Sequence, residues 1–456
     1  GNSEGNAING TSYVEVKFLK DFTFTLNAGV GVDETRTKNV LNMYYGQFAP
    51  NGGIVTISHG RSFYLNLQQL LNWSRTFADD HHVSALLGHE WYKSSGVSLG
   101  ASKSNMFSLD NQELGGAVID GQSASSGKSE YNNEGYFLRA QYDYMNKIFA
   151  SASFRRDASS RFHPDHRWGN FWSLGGGWLI NYEPWFRIPW VDMLKIKASY
   201  GVQGNDNLYP SAGYARRYYP YSDNYTHTYN ESTGEYSLEL AYKGNEELTW
   251  ESSHAINAGL DFELFGGYLN GSVEYFSRKT VDLLYSKDVP LSSGNPTGFY
   301  PVNVGSILNK GFETSFAGDI FNTRNVHWSW NVNVSHYDNV ILSLDDSVAE
   351  DGIKGSNYIY KVGGSLYEAY MYRYAGVDKE SGKALYYTTD DEGGIVTTDV
   401  FSEAEQFECG SVLPILYGGF GTSLRVYGFD LSAQFSFQLG GKYYDGTYQS
   451  LMHTDS

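Results

Sequence analysis

Hydrophobic and polar residues alternate along this chain with a period of two over many separate segments. Between residues 429 and 439, Phe, Leu and Ala occupy the odd positions, and Asp, Ser and Gln occupy the even ones. The same alternation recurs at 22–30, 194–202 and 328–334. Successive side chains of a β-strand point to opposite faces of its sheet, so each segment predicts a strand with one apolar and one polar face.

The pattern predicts an all-β, antiparallel fold of fourteen strands. We place these strands at 11–19, 22–32, 62–77, 82–98, 135–145, 148–157, 169–180, 194–202, 251–263, 268–282, 303–320, 327–340, 415–426 and 429–441. Short turns alternate with long connections, which are predicted at 33–61, 99–134, 158–168, 203–250, 283–302 and 341–414. Short turns on one side and long loops on the other are typical of a transmembrane β-barrel.

A soluble β-sandwich would also show alternation, with its apolar face turned inward. Two features favour the barrel. Strands of about ten residues suit a tilted crossing of the hydrocarbon core, whereas strands of globular proteins have about five or six. Aromatic residues also gather near predicted strand ends, as interfacial girdles require; examples are Trp91, Tyr92, Tyr142, Tyr144, Trp168, Trp172 and Trp178. In a barrel, Phe435 should face lipid and Gln434 the lumen.

Composition narrows the class of protein further. The 456 residues include 51 Gly and 38 Tyr, and the formal net charge is −18. An acidic chain without a cluster of Lys and Arg argues against a nucleic-acid partner. The single cysteine, Cys409, excludes an internal disulfide. No run of 18 apolar residues occurs, so the sequence predicts no transmembrane helix.

Four ordered motifs carry a family resemblance. The segment 154–162 reads Phe-Arg-Arg-Asp-Ala-Ser-Ser-Arg-Phe and is followed by Arg-Trp-Gly at 167–169. Further motifs lie at 194–205 (LKIKASYGVQGN), 303–313 (NVGSILNKGFE) and 374–378 (YAGVD). In this order the motifs resemble those of SusC/RagA-like TonB-dependent outer-membrane transporters, from about residue 136 to the end.

The resemblance implies a 22-stranded outer-membrane barrel that is closed by an N-terminal plug and driven by the TonB complex. It also implies a SusD-like surface lipoprotein as a lid, and oligosaccharides or, in some members, peptides as substrates. The chain has no recognisable plug, TonB box or closing C-terminal aromatic strand. We therefore expect residues 1–456 to be a partial barrel domain of a longer protein, surrounded by outer-membrane lipid.

No arrangement of residues predicts an enzyme. The pair His163 and His166 has a spacing that some metal sites use, but it lies in a predicted loop with no cysteine nearby. Arg155, Arg156, Asp157 and Arg161 form a charge cluster at the predicted rim, where structural ion pairs are favoured over substrate capture. We expect no catalytic residue, no metal and no cofactor.

The loop 203–250 is the candidate site, because it is rich in tyrosine and asparagine. We single out five tyrosines there as substrate or partner contacts: Tyr214, Tyr218, Tyr219, Tyr221 and Tyr225. Sugar rings stack on aromatic rings, and tyrosine adds a polar tip. Tyrosine is also enriched at protein interfaces, so packing against other loops or a lid protein is the alternative. Together with the family resemblance, which implies import, this loop favours an importer of oligosaccharides; a peptide importer of the same family and a secreted glycan-binding or adhesion module stay open.

Overall fold

One antiparallel sheet of fourteen strands dominates the computed structural model, which describes residues 1–208 and 218–451. In chain order the strands are β1 (Asn2–Phe18), β2 (Phe22–Leu41), β3 (Ile54–Phe77), β4 (His81–Met106), β5 (Ala117–Tyr144), β6 (Ile148–Ser159), β7 (Trp168–Leu179), β8 (Val191–Asn205), β9 (Glu251–Leu264), β10 (Leu269–Val281), β11 (Ser306–Asn322), β12 (Val326–Ser343), β13 (Leu416–Val426) and β14 (Phe429–Leu439). Each strand pairs with its neighbours in this order. The prediction of fourteen antiparallel strands is confirmed.

The pairing register joins the apolar faces of neighbouring strands into one surface. Phe435 of β14 lies opposite Phe420 of β13, and the two rings stack with their centroids 4.7 Å apart. Phe420 lies opposite Val332 of β12, which lies opposite Phe316 of β11. Gln434 has the opposite phase and faces the polar side with Gly421. One face of the sheet is therefore apolar and the other polar, as a barrel wall requires.

Tight turns connect the strands at one edge of the sheet. The turn residues Leu19 and Lys20 have φ values of 49° and 61°, and Ala78 and Asp79 have φ values of 50° and 64°. Two consecutive residues with positive φ are typical of type I′ turns, whose twist matches that of the flanking strands. This edge corresponds to the predicted side of short turns.

Two of the predicted long loops are much shorter than expected. The connection predicted at 33–61 spans only 42–53, and the one predicted at 99–134 spans only 107–116, because β2, β3, β4 and β5 continue through polar residues. Trp91 and Tyr92 consequently lie in the middle of β4 rather than near its end. The apolar alternation ends before the hydrogen-bonded ladder does, so the sequence pattern underestimates the strand length.

The remaining long connections contain small sheets of their own. Hairpins pair Asn224–Asn230 with Glu235–Tyr242 and Leu284–Asp288 with Phe299–Asn303. The connection between β12 and β13 holds the short strands Ile353–Lys354, Ile359–Tyr360, Glu368–Tyr372, Tyr374–Val377, Ala384–Thr389, Ile395–Thr398 and Gln406–Ser411. Helical turns occur at Ala49–Asn51, Leu114–Gly116, Ile180–Tyr182, Leu291–Ser293 and Phe401–Glu403, and one α-helix at Gly446–Leu451. Among the described residues, no helix is long and apolar enough to cross a membrane.

A pair of substitutions tests the two faces of the sheet. Phe435→Arg should cost about 2–4 kcal/mol of folding free energy, because it places a charge on the lipid-facing side near mid-strand, whereas Gln434→Arg should cost much less. The folded fraction of the full-length protein in lipid, read from the heat-dependent gel shift of the barrel, is the measurement. Equal tolerance of both changes would contradict the assignment of the two faces.

Candidate functional site

The polar face of the sheet carries charged side chains that pair across strands. Lys197 Nζ on β8 lies 3.0 Å from Asp261 Oδ1 on β9 and 3.1 Å from Glu274 Oε2 on β10. Arg155 on β6 pairs with Asp157 at 2.7 Å and with Glu90 of β4 at 3.0 Å. Groups of this kind need water or a polar partner. The face therefore suits a hydrated interior and not a packed apolar core.

A buried ion pair fixes the beginning of the 203–250 loop. Arg161 is only 3% exposed, and its Nη1 donates to Asp206 Oδ1 over 3.0 Å. The other oxygen of this carboxylate, Oδ2, accepts hydrogen bonds from the hydroxyls of Tyr131 and Ser159 over 2.8 Å and 2.6 Å. The predicted structural ion pair at the rim is thus present. The partner of Arg161 is Asp206, which the sequence analysis did not single out.

A small apolar core lies beside this ion pair. Phe162, Phe171, Leu248 and Trp250 are all at least nine-tenths buried and pack together. The Trp250 indole Nε1 donates to the carbonyl oxygen of Arg167 over 2.8 Å. Because these residues come from the 160–167 connection, strand β7 and the end of the 203–250 loop, they hold the two loops in a fixed relation.

Two of the predicted tyrosines lie together beside the 160–167 connection. The rings of Tyr219 and Tyr221 meet edge to face with centroids 6.3 Å apart, and Tyr221 also contacts the ring of His163 at 5.7 Å. Partial burial, with the negative charge of Glu130, raises the pKa of Tyr219 above its usual value. Tyr218, directly before this pair, is half-buried. Tyr219 and Tyr221 thus pack against each other, and Tyr221 packs against the 160–167 connection. We call Tyr218, Tyr219 and Tyr221 the tyrosine rim.

Tyr225 is more exposed than Tyr219, which is 41% exposed. It lies on the Asn224–Asn230 strand of the loop hairpin, where its side chain is 59% exposed. On the same hairpin, the rings of Tyr229 and Tyr236 contact each other at a tilt, with centroids 4.8 Å apart. Tyr214 lies outside the described residues. The structure therefore brings Tyr219 and Tyr221 together and places Tyr225 on the exposed hairpin strand.

The two histidines of the 160–167 connection pair with carboxylates. His163 Nδ1 lies 3.5 Å from Asp165 Oδ2, and His166 Nε2 lies 3.5 Å from Glu247 Oε2. The second contact joins the 160–167 connection to the 203–250 loop. Within residues 1–208 and 218–451, no group of three or more His, Cys, Asp or Glu side chains is arranged to hold a metal ion.

An ion pair also joins two other loops. Lys287 Nζ, on the Leu284–Asp288 strand, lies 2.7 Å from Asp345 Oδ1 in the connection after β12. The hydrogen bond from Lys287, together with hydrogen bonds from the hydroxyl and amide of Ser347, lowers the pKa of Asp345 to about 2. The carboxylate therefore stays ionised, and the contact persists at neutral pH.

The signal for the buried ion pair was present in the sequence but incomplete. Ser159 and Arg161 belong to one quoted motif, and Asp206 directly follows another, the one at 194–205. Nothing in the spacing shows that the two motifs meet in space. Tyr131 lies outside every motif, so its bond to Asp206 could not be predicted.

The fold and the site together define a class of protein: a membrane β-barrel wall with tight turns at one edge and structured loops around a polar interior at the other. The family model described as "TonB dependent receptor-like, beta-barrel" matches residues 2–401. The chain belongs to this family and is an outer-membrane protein. Membership favours the membrane barrel over the soluble sandwich and over the secreted module.

Individual relatives support the narrower SusC/RagA resemblance. The chain is 30% identical over 382 residues to the TonB-dependent receptor P39 of Formosa agariphila, covering 80% of this chain and 34% of that protein. It is 32% identical over 284 residues to the TonB-dependent receptor SusC of Bacteroides thetaiotaomicron, covering 58% and 27%. The structure of the RagAB peptide importer in the "open-open" state superimposes with a TM-score of 0.84 at 26% identity, covering 96% of this chain and 47% of that chain. The chain spans less than half the length of each of these relatives.

The buried and the exposed ion pairs should respond differently to the loss of one partner. Arg161→Met leaves the Asp206 carboxylate, which is only 14% exposed, without its cation, and this should lower the free energy of unfolding by about 3–5 kcal/mol. Urea unfolding of the full-length protein in lipid measures this loss of stability. Hydrogen exchange at residues 218–250 should become faster if the loop is the part that is destabilised. The control Lys383→Met breaks the exposed pair between Lys383 and Asp399 and should change neither readout measurably. Equal effects would contradict the anchoring role of Arg161.

The contact between Lys287 and Asp345 should weaken in acid. The folded-state pKa of Asp345, about 2, lies below the ordinary value for aspartate, about 4. The stabilisation is therefore complete above pH about 4 and disappears as the pH falls from about 4 to about 2. Limited acid proteolysis of the 344–366 segment should show increasing cleavage over this range, and Asp345→Asn should remove the pH dependence. A pH-dependent step that survives in Asp345→Asn would assign the effect to other groups.

Proposed function

We propose that this chain is the barrel wall of a nutrient importer that takes up oligosaccharides across the outer membrane. A SusD-like surface lipoprotein would close over its loops, and the TonB complex would supply energy through a segment outside this sequence. The observation that carries the proposal is the tyrosine-rich rim above a charged, hydrated inner face, in a member of the TonB-dependent receptor family. We propose no catalytic activity and no cofactor.

The rim chemistry supports a sugar ligand. Tyr219 and Tyr221 offer aromatic faces for the C–H faces of sugar rings, and their hydroxyls can pair with sugar hydroxyls. The inner wall offers Lys197, Asp261 and Glu274 as further polar partners. A hydroxyl-rich oligomer can exchange its water for such groups along its path without leaving buried polar atoms unpaired.

A peptide is the second candidate substrate. The observation that favours it is the similarity to the RagAB peptide importer, which extends over 96% of this chain, whereas the match to SusC extends over 58%. Peptides also carry amide and charged groups that suit the paired charges of the inner wall. The proposed importer thus has two candidate substrate classes.

We also propose that residues 1–456 are part of a larger barrel. In the described sheet, the outer edges of β1 and β14 pair with no other strand. Unpaired N–H and C=O groups in hydrocarbon cost several kcal/mol each, so further strands must cover both edges in the membrane. The greater length of the relatives supports this proposal.

The function is tested by uptake in cells that carry the full-length protein and the proposed SusD-like lipoprotein. Deleting the protein should abolish TonB-dependent uptake from a labelled oligosaccharide mixture, and the wild-type protein should restore it. Uptake from a labelled peptide mixture alone would favour the second candidate. No TonB-dependent uptake of either mixture would contradict the importer function.

The tyrosine rim yields a separate prediction. Changing Tyr218, Tyr219 and Tyr221 to Ala should weaken binding of the lid lipoprotein more than binding of ligand, because a loop as long and tyrosine-rich as 203–250 can cover more protein surface than one sugar chain offers. A pull-down of the lipoprotein and calorimetry with the transported ligand measure the two effects.

The matched control changes two exposed tyrosines of the 42–53 connection, Tyr44 and Tyr45, to Ala. This double variant should retain both affinities. If the rim variant also retains both and still supports uptake, the rim has neither role.

A further inference from the structure

A cavity of about 220 Å³ lies at the extracellular ends of β11 and β12. One wall is formed by Ile307 and Ile341, which pair across these strands and have the phase of the polar face, so they lie on the lumen side. The other walls come from the 283–305 connection and the 344–366 segment, with Leu284, Val304 and Leu366 among the lining residues. We call this cavity the apolar pocket.

The walls of the apolar pocket are held in place by hydrogen bonds. The amide of Gly363 donates to the carbonyl of Ile341, and the amide of Ile341 donates to the carbonyl of Gly364, each over 2.8 Å. The side-chain oxygen of Asn339 accepts from the amide of Leu366 over 2.8 Å. On the opposite wall, the Leu284 amide donates to Glu251 Oε2 over 3.1 Å. The pocket is therefore formed before any ligand arrives.

The charged group at the edge of the pocket is already occupied. Asp345 lines the pocket, but its carboxylate accepts from Lys287 Nζ over 2.7 Å and from the amide and hydroxyl of Ser347. The rest of the lining is mainly leucine, isoleucine and valine, with two tyrosines. The pocket thus offers few free polar partners to a group that fills it.

We propose that the apolar pocket binds a branched aliphatic or aromatic side chain of a peptide substrate. The inference rests on the proposed importer function and bears on which of its two candidate substrates is carried. An apolar cavity of about 150 Å³ accepts a benzene-sized group, so this larger pocket has room for a phenyl or leucine side chain. A sugar ring carries hydroxyl groups on most of its carbons, and burying them among Ile307, Ile341 and Leu366 would leave them without partners.

The test compares two peptide probes on the full-length protein with its lipoprotein partner, purified in detergent. The probes are Ser-Gly-Phe-Gly-Ser and Ser-Gly-Ser-Gly-Ser, with affinities measured by calorimetry. Burying one phenyl group should make the first probe bind at least about tenfold more tightly. Equal affinities of the two probes for the wild-type protein would overturn the proposal.

Two variants assign the preference to the apolar pocket. Val304→Trp fills the pocket and should bring the affinity ratio of the two probes to about one, while Val302→Trp, on the same hairpin but not in the lining, should retain it. A preference that survives in Val304→Trp would overturn the proposal.

A third variant, Ile307→Ala, tests the same assignment if Val304→Trp does not fold. This variant enlarges the pocket and should shift the preference from the phenylalanine probe to its tryptophan counterpart; an unchanged preference would overturn the proposal.

Uptake distinguishes failure of this inference from failure of the importer function. TonB-dependent uptake of peptides, reduced in Val304→Trp, supports both. Uptake of oligosaccharides alone overturns the pocket assignment and leaves the importer function intact. Absence of TonB-dependent uptake of both mixtures contradicts the importer function itself.

Discussion

The hydrogen-bonded register of the fourteen-stranded sheet is the constraint on which the rest of the structure depends. Side chains alternate between faces with a period of two, so a shift of one residue in any pairing would exchange the lipid-facing and lumen-facing rows of that strand. The ladders keep Phe435, Phe420, Val332 and Phe316 in one row across four strands. Register shifts within the sheet occur close to strand ends, as at Glu263/Leu264 and Asp319/Phe321, where they leave the apolar band intact.

The sequence could predict the number and order of the strands because lipid imposes a continuous apolar row on each one. It could not predict where the strands end, because above the membrane both faces meet water and the alternation disappears while backbone pairing continues. Strands β4 and β5 show this most clearly: their pairing continues to Met106 and Ala117, eight residues past the predicted end at 98 and eighteen residues before the predicted start at 135. The candidate site was predicted only in part. Tyr219 and Tyr221 were among the predicted residues. The packing of Tyr221 on His163, the buried ion pair of Arg161 with Asp206, and the apolar pocket could not be predicted, because they arise from contacts between segments that are distant in the sequence.

The long connections at the barrel entrance are held to one another by ion pairs and by a small apolar core. The buried ion pair of Arg161 with Asp206 and the core around Trp250 join the 160–167 connection to the 203–250 loop. The ion pair of Lys287 with Asp345 joins the connection between β10 and β11 to the connection between β12 and β13. The entrance therefore presents two chemically different surfaces. The tyrosine rim suits sugars or a protein lid, whereas the apolar pocket suits the side chains of a peptide. Binding at the tyrosine rim would favour an oligosaccharide as the substrate, and binding in the apolar pocket would favour a peptide; the family resemblance leaves both classes open.

The most direct test of the account is the environment of alternate residues along one central strand in lipid. Nitroxide labels introduced singly from Ile256 to Phe262 of β9, after replacement of Cys409 by Ser, report collisions with oxygen dissolved in the bilayer and with a water-soluble nickel complex. Labels at Ile256, Ala258, Leu260 and Phe262 should be accessible to oxygen, and those at Asn257, Gly259 and Asp261 to the nickel complex. A strand whose accessibility does not alternate, or alternates with the opposite phase, would contradict the barrel wall on which every functional proposal here depends.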